Sequence, residues 1–167
     1  MRVKGCDSVA KIKAWDELTI QDNFLFQKVM QNRRICKQLI EEILQIKVKS
    51  ISFPDNEKSI DIRLDSKSVR LDVYVEDDKN TIYDIEMQTT NNKGDLHTSE
   101  LPKRTRYYQA MIDMDLIEKG QTYDSLNQTY IIFICTFDPY DENRYTYTFH
   151  NLCEENPQLR LGDQTTK

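Results

Sequence analysis

Hydrophobic and polar positions change period along this chain, and the changes mark out its elements. Phe24, Leu25, Val29 and Met30 recur at helical spacing behind a Thr19/Asp22 pair that resembles a capping box, which predicts a helix from near Ile20 to near Asn32. A second helix is predicted from near Ile35, because Ile35, Leu39, Ile40, Ile43 and Leu44 fall on one face with Glu41 and Glu42 beside it. From Ser50 the period drops to two. Ile60, Ile62 and Leu64 alternate with charged residues, and Val69, Leu71, Val73 and Val75 alternate with Arg70, Asp72, Tyr74 and Glu76. The polar cluster Asp77-Asp78-Lys79-Asn80 is a turn signal before extended structure resumes at Ile82, so 68–88 is predicted to be a hairpin. After a loop over 91–95, Tyr107, Tyr108, Met111 and Ile112 predict a helix from Glu100 to Lys119, stopped by Gly120. The apolar run Tyr130 to Phe137 predicts a central buried strand, and Tyr145, Tyr147 and Phe149 a further alternating one.

Composition narrows the class. A length of 167 residues fits one domain, and one Trp, nine Tyr and six Phe with 31% charged residues describe a folded chain rather than a disordered one. There are 23 basic and 28 acidic residues, a net charge of −5, so any nucleic-acid contact must use local basic patches. No apolar run approaches the ~20 residues that cross a bilayer, and the first residues lack the apolar segment of a secretion signal. Cys6, Cys36, Cys135 and Cys153 are scattered without a CxxC, which reads as reduced thiols and a cytoplasmic location with no membrane association. His97 and His150 are read as surface residues. With only these two histidines, a bound metal is expected to have oxygen ligands.

The hairpin carries the candidate chemistry. A turn centred on Lys79 sets Asp72 opposite Glu86 and Arg70 opposite Gln88, and puts Asp72, Asp84, Glu86 and Gln88 on one face. Two carboxylates held about 5 Å apart repel unless something compensates, and a divalent cation would do so. Mg²⁺ suits such a pair, because it is commonly held by one or two carboxylates with water and phosphate oxygens completing its shell. Gln88 can orient a water or ligate through its amide but brings no charge. Acids and an amide on strands also describe a solvated sheet face, and spacing leaves both readings open.

The segments RLDVYVEDDKNTIYDIEMQ, LPKRTRYYQAMID and YIIFICTFDPY, in that order, resemble the PD-(D/E)XK nuclease family transposases, or recombination-promoting nucleases, and the likeness runs from about Trp15 to the end of the chain. The resemblance implies an α/β, restriction-endonuclease-like fold: a mixed sheet flanked by helices, over 15–167 after a tail of 1–14. It further implies Mg²⁺-dependent cleavage of DNA, with Mn²⁺ as substitute. Asp72 and Glu86 would be the metal-binding catalytic carboxylates, and Gln88 a third catalytic residue where many relatives carry lysine. An acid on the preceding helix sometimes joins such sites, which makes Glu42 or Glu41 an accessory candidate, against plain solvent exposure. Arg104 and Arg106 lie in a basic and aromatic stretch where they would contact phosphate, or form the solvated side of an amphipathic helix. Arg33, Arg34 and Lys37 are read as a solvated helix junction. Relatives continue beyond the LGDQT segment, so a family C-terminal extension is expected to be absent.

The expected function is a Mg²⁺-dependent DNA endonuclease associated with recombination or transposition. The alternative is a weakly active or inactive remnant that binds DNA or protein, motivated by the net negative charge and the missing lysine. Self-association is left open.

Overall fold

The computed structural model describes residues 13–54, 58–60, 68–91 and 100–167. The expectations for Cys6, Ile62, Leu64 and His97, most of the 1–14 tail and most of the 91–95 loop fall outside these residues.

The chain opens with a short 3-10 turn, Trp15–Glu17, and two helices, α1 (Asn23–Met30) and α2 (Arg33–Leu44). The Thr19/Asp22 pair forms, but it faces backwards. Asp22 accepts from the Thr19 N–H at 2.8 Å and the Thr19 hydroxyl at 3.2 Å, which closes a turn ahead of the helix, so α1 begins at Asn23 rather than Ile20. Asn32 ends the first helical stretch and caps the second, its side chain accepting from the Arg34 and Ile35 N–H groups.

Six strands follow: β1 (Ile51–Ser52), β2 (Ser59–Ile60), β3 (Val69–Arg70), β4 (Val73–Asp77), β5 (Ile82–Gln88) and, after helix α3 (Leu101–Leu116), β6 (Thr129–Cys135). A seventh, β7 (Thr165–Thr166), closes the sheet. The main sheet has the order β1-β4-β5-β6-β7, antiparallel as far as β5 and parallel from β5 to β7. The parallel pairing of β5 and β6 needs a crossover, and α3 supplies it. β2 and β3 form a separate two-stranded sheet. The result is a mixed α/β sheet flanked by helices, as the resemblance implied.

Alternation along the strands divides the core. Val73 and Val75, Tyr83, Ile85 and Met87, and Ile132 face Phe26, Met30, Cys36 and Ile40 of α1 and α2. Tyr74, Ile82 and Ile131 face the other way, against Met111 and Ile112 of α3 and against Ile60, Val69 and Leu71. Asp84, Glu86 and Gln88 continue the parity of Ile82, so they turn to the α3 side.

Three expectations are corrected. The predicted hairpin is interrupted at Leu71–Asp72: β3 pairs with β2, Arg70 opposite Ser59, so Arg70 does not face Gln88. Helix α3 ends at Leu116, not Lys119, because Ile117 is extended, and Gly120 (φ +97°) serves the following turn. Tyr145, Tyr147 and Phe149 form no strand. Tyr145 is fully exposed, the Tyr147 hydroxyl donates to Asp138 at 2.7 Å, and Tyr140 packs against the rings of Tyr147 and Phe149. The alternation there builds an aromatic cluster, and the last strand comes from Thr165–Thr166 instead.

Candidate active site

The turn between β4 and β5 sets everything that follows. Asp77 Oδ1 accepts from the Lys79 and Thr81 N–H groups at 2.8 and 2.9 Å, while Asn80 takes a left-handed conformation at φ +61°. The ladder that leaves this turn pairs Glu76 with Ile82, Tyr74 with Asp84 and Val73 with Ile85. One step further, Asp72 meets Glu86, in the register that a turn centred on Lys79 predicts.

There the ladder changes character. The Asp72 N–H donates to Glu86 Oε1 at 2.8 Å, and the Met87 N–H donates to Asp72 Oδ2 at 3.2 Å. Each strand thus gives a backbone donor to the other strand's carboxylate. This exchange ends the backbone pairing at Val73 and locks the two acids against each other. Asp84 joins from the same face of β5. It is fully buried, and among the described residues its oxygens accept from no N–H or hydroxyl group; its hydrogen-bonding neighbour is the Glu86 carboxyl, which it can bond only while one of the two keeps a proton.

Helix α3 roofs the cluster. Arg104, Tyr108 and Ile112 recur four apart, and this stripe lies along β5: Ile112 packs in the cluster of Ile82 and Ile131, Tyr108 against Phe133, and Arg104 at Glu86 and Gln88. Arg104 Nη2 donates to Glu86 Oε2 at 2.8 Å, Nη1 to Gln88 Oε1 at 2.6 Å and Nε to the Tyr108 hydroxyl at 2.9 Å. Its guanidinium carbon lies 4.9 Å from the Tyr108 ring centre and 5.2 Å from that of Phe133. The Gln88 amide is held from both ends, since its Nε2 donates to the Thr90 carbonyl.

The electrostatics follow from burial. Glu86 is 1% exposed, and that burial, together with the Asp72 charge, pushes its carboxyl from 4.5 up to about 7. Burial first and the Glu86 charge second hold the Asp84 carboxyl well above the usual range. Burial acts to loosen the Arg104 proton, but Tyr108, Glu86 and Asp72 outweigh it and keep the guanidinium firmly charged.

The other candidates lie elsewhere. Glu42 is exposed on α2, whose buried residues Cys36 and Ile40 pack on the opposite face of the sheet. Glu41 accepts from the Val48 N–H at 2.9 Å and so braces the chain after α2. Arg106 is exposed on α3, off the face that carries Arg104. Arg33 and Arg34 are exposed around the start of α2, and Cys36, Cys135 and Cys153 are free thiols. Sequence reasoning placed Asp84 on the site face without giving it a part, and did not foresee that Arg104 would bind Glu86 and Gln88. The signal was the four-residue spacing of Arg104, Tyr108 and Ile112, which puts the arginine on the buried stripe of its helix.

A sequence model of the PD-(D/E)XK nuclease family transposases matches residues 23–166 of the 167-residue chain. The chain belongs to this family. Searches of curated proteins and of solved structures returned no match. The family is one of nucleases linked to transposition, and PD-(D/E)XK nucleases generally use divalent metals. No helix among the described residues is long and apolar enough to cross a membrane.

The residues can be tested against such a metal. Among the described residues, no three His, Cys, Asp or Glu side chains are gathered so as to hold an ion by themselves. The donors nevertheless fit in kind. Asp72, Asp84 and Glu86 offer hard oxygens on one face, and the buried Asp84 and Glu86 carboxyls, held above their usual range by burial and by neighbouring acids, are the groups that an added cation would relieve. Two carboxylates with water and phosphate oxygens form the expected shell of Mg²⁺.

Proposed function

We propose that this PD-(D/E)XK protein is a Mg²⁺-dependent DNA endonuclease acting in recombination or transposition, with Asp72 and Glu86 holding the ion and Mn²⁺ able to replace it. The observation that carries this reading is the exchange of backbone donors between Asp72 and Glu86, which fixes two acids face to face inside a sheet. Like charges so placed weaken the fold. A structure that locks them together has a use for their combined charge. When bound, the ion would lower the pKa of a water and offset charge on the phosphate.

The chain's own residues do the rest. Met87 and Asp72 supply the N–H groups that orient the two carboxylates. The Tyr108 and Phe133 rings flank the guanidinium and keep Arg104 on Glu86. Gln88, tied to Thr90, presents its amide oxygen to Arg104 and so fixes the guanidinium at the end of β5.

The test is supercoiled-plasmid nicking by the purified chain in Mg²⁺ and in EDTA. Cleavage should need the metal and should disappear in both Asp72→Ala and Glu86→Ala, because either change leaves one carboxylate to hold the ion. An Asp72→Ala protein that cuts at the parental rate would refute the assignment. Parental protein that binds DNA and never cuts it would favour a binding remnant.

A further inference from the structure

We propose that Arg104 is the charged catalytic residue of this site: carried in from α3, its guanidinium supplies at the scissile phosphate the positive charge that Gln88 lacks. The inference rests on the nuclease reading above and adds a residue to it.

Hydrolysis forms a bond from a water oxygen to phosphorus and breaks the bond from phosphorus to the leaving sugar oxygen, which keeps the electron pair. The water gives up a proton and the leaving oxygen takes one. Negative charge builds on the non-bridging oxygens in between, and a fixed cation beside them stabilises that state more than the ground state. The position beside Glu86 on the same face, at the end of β5, is filled by Gln88, a neutral amide. The structure brings a cation to the same spot by another route, with Arg104 bonded to Gln88 Oε1 and Glu86 Oε2 together.

Three features suit it to phosphate. Its bonds to Tyr108, Gln88 and Glu86 use three of the five guanidinium N–H groups, leaving two for a ligand. Its side chain is 35% exposed while that of Glu86 is 1% exposed, so of the two residues Arg104 is the one open to a ligand from solvent. The faces of Tyr108 and Phe133 and the carboxylate of Glu86 hold it in place before substrate arrives, so little reorganisation is needed. A residue that served only to neutralise Glu86 would need none of this access.

The experiment compares parent, Arg104→Ala, Arg104→Gln and the double variant Arg104→Ala/Gln88→Lys. Single-turnover nicking in Mg²⁺ is measured beside the midpoint of a Mn²⁺ titration followed by thermal melting. Loss of one charge-stabilising donor should slow cleavage roughly 100- to 1,000-fold in Arg104→Ala. The Mn²⁺ midpoint should stay level or fall, because a cation beside Glu86 competes with the metal. Gln88→Lys should restore at least about tenfold of the lost rate by placing an ammonium where the guanidinium was. Arg104→Gln, which keeps hydrogen bonds without charge, serves if the alanine variant melts early, and should be as slow.

Cleavage by Arg104→Ala or Arg104→Gln within about threefold of parent overturns the proposal and leaves the nuclease reading standing. So does a Mn²⁺ midpoint raised about tenfold with no rescue by Gln88→Lys, which would make Arg104 a positioning residue for Glu86. Parental protein that responds to Mn²⁺ yet cuts no DNA overturns the nuclease reading and this inference with it.

Discussion

Glu86 is asked to be a charged ligand in a place that disfavours its charge. Its carboxyl is raised from 4.5 to about 7 by burial and by Asp72, and Asp84 is raised beside it. A carboxyl whose pKa is higher in the fold than in the unfolded chain holds a proton in the native state that the unfolded state has lost. Stability therefore falls as pH rises from about 4.5 through 7, and the full penalty applies above that range. For Glu86 alone the displacement corresponds to about 3 kcal/mol. In EDTA, denaturant unfolding should give a protein less stable at pH 8 than at pH 5.5, and Asp84→Asn should flatten the slope by removing one of the two raised carboxyls. Equal slopes in parent and variant would show that Asp84 does not titrate with the cluster. The raised carboxyls were not legible in the sequence. Asp84 and Glu86 alternate like ordinary strand acids, and only α3, packed from more than a dozen residues downstream, removes them from water.

At the scale of elements, the β4–β5 register was legible because it depends on local chemistry. Asp77-Asp78-Lys79-Asn80 is a turn with one dominant solution: Asp77 bonds two following N–H groups, and Asn80 accepts the left-handed backbone. Asp77 also reaches forward, since its Oδ2 accepts from the hydroxyl of Tyr83 at 2.8 Å, and Tyr83 is 1% exposed. Asp77→Ala should then cost about 2 to 3 kcal/mol, part from the turn and part from a buried hydroxyl left without its acceptor. Tyr83→Phe removes the hydroxyl as well as its need. In a double-mutant cycle by urea unfolding, the pair should fall short of additivity by about 1 kcal/mol. Full additivity would mean that the hydroxyl bond carries no stability. By contrast, the break at Leu71–Asp72 could not be read from the hydrophobic pattern, which runs unbroken from Val69 to Val75. It arises because the Leu71 N–H pairs with the Lys58 carbonyl and the Asp72 N–H goes to a side chain. Tyr145, Tyr147 and Phe149 fail for a related reason: a period of two is necessary for a half-buried strand but does not supply a ladder, and here Phe149 exchanges backbone bonds with Lys167 while Tyr145 is fully exposed.

Across the whole molecule, the sheet divides an apolar face under α1 and α2 from a face that turns polar toward the end of β5, and the two acids meet on the polar one only when β4 and β5 are paired. In the unfolded chain they are separated and bind an ion no better than other acids. An ion that binds the native state alone must stabilise it by mass action, by about 1.4 kcal/mol at ten times its dissociation constant. For a domain of this size that raises the melting temperature by about 3 to 6 °C. Asp72→Asn makes the test specific. Its amide oxygen can still accept the Met87 N–H, so the backbone exchange survives, while the negative charge that raises Glu86 is gone. The variant should melt slightly above the parent in EDTA, because like-charge repulsion is relieved, and should show no rise in Mn²⁺. Melting curves of both proteins in EDTA and across millimolar Mn²⁺ measure the two effects together. A parent indifferent to Mn²⁺, or a variant that responds as the parent does, would mean that the paired carboxylates of β4 and β5 hold no metal, whatever the family to which the chain belongs.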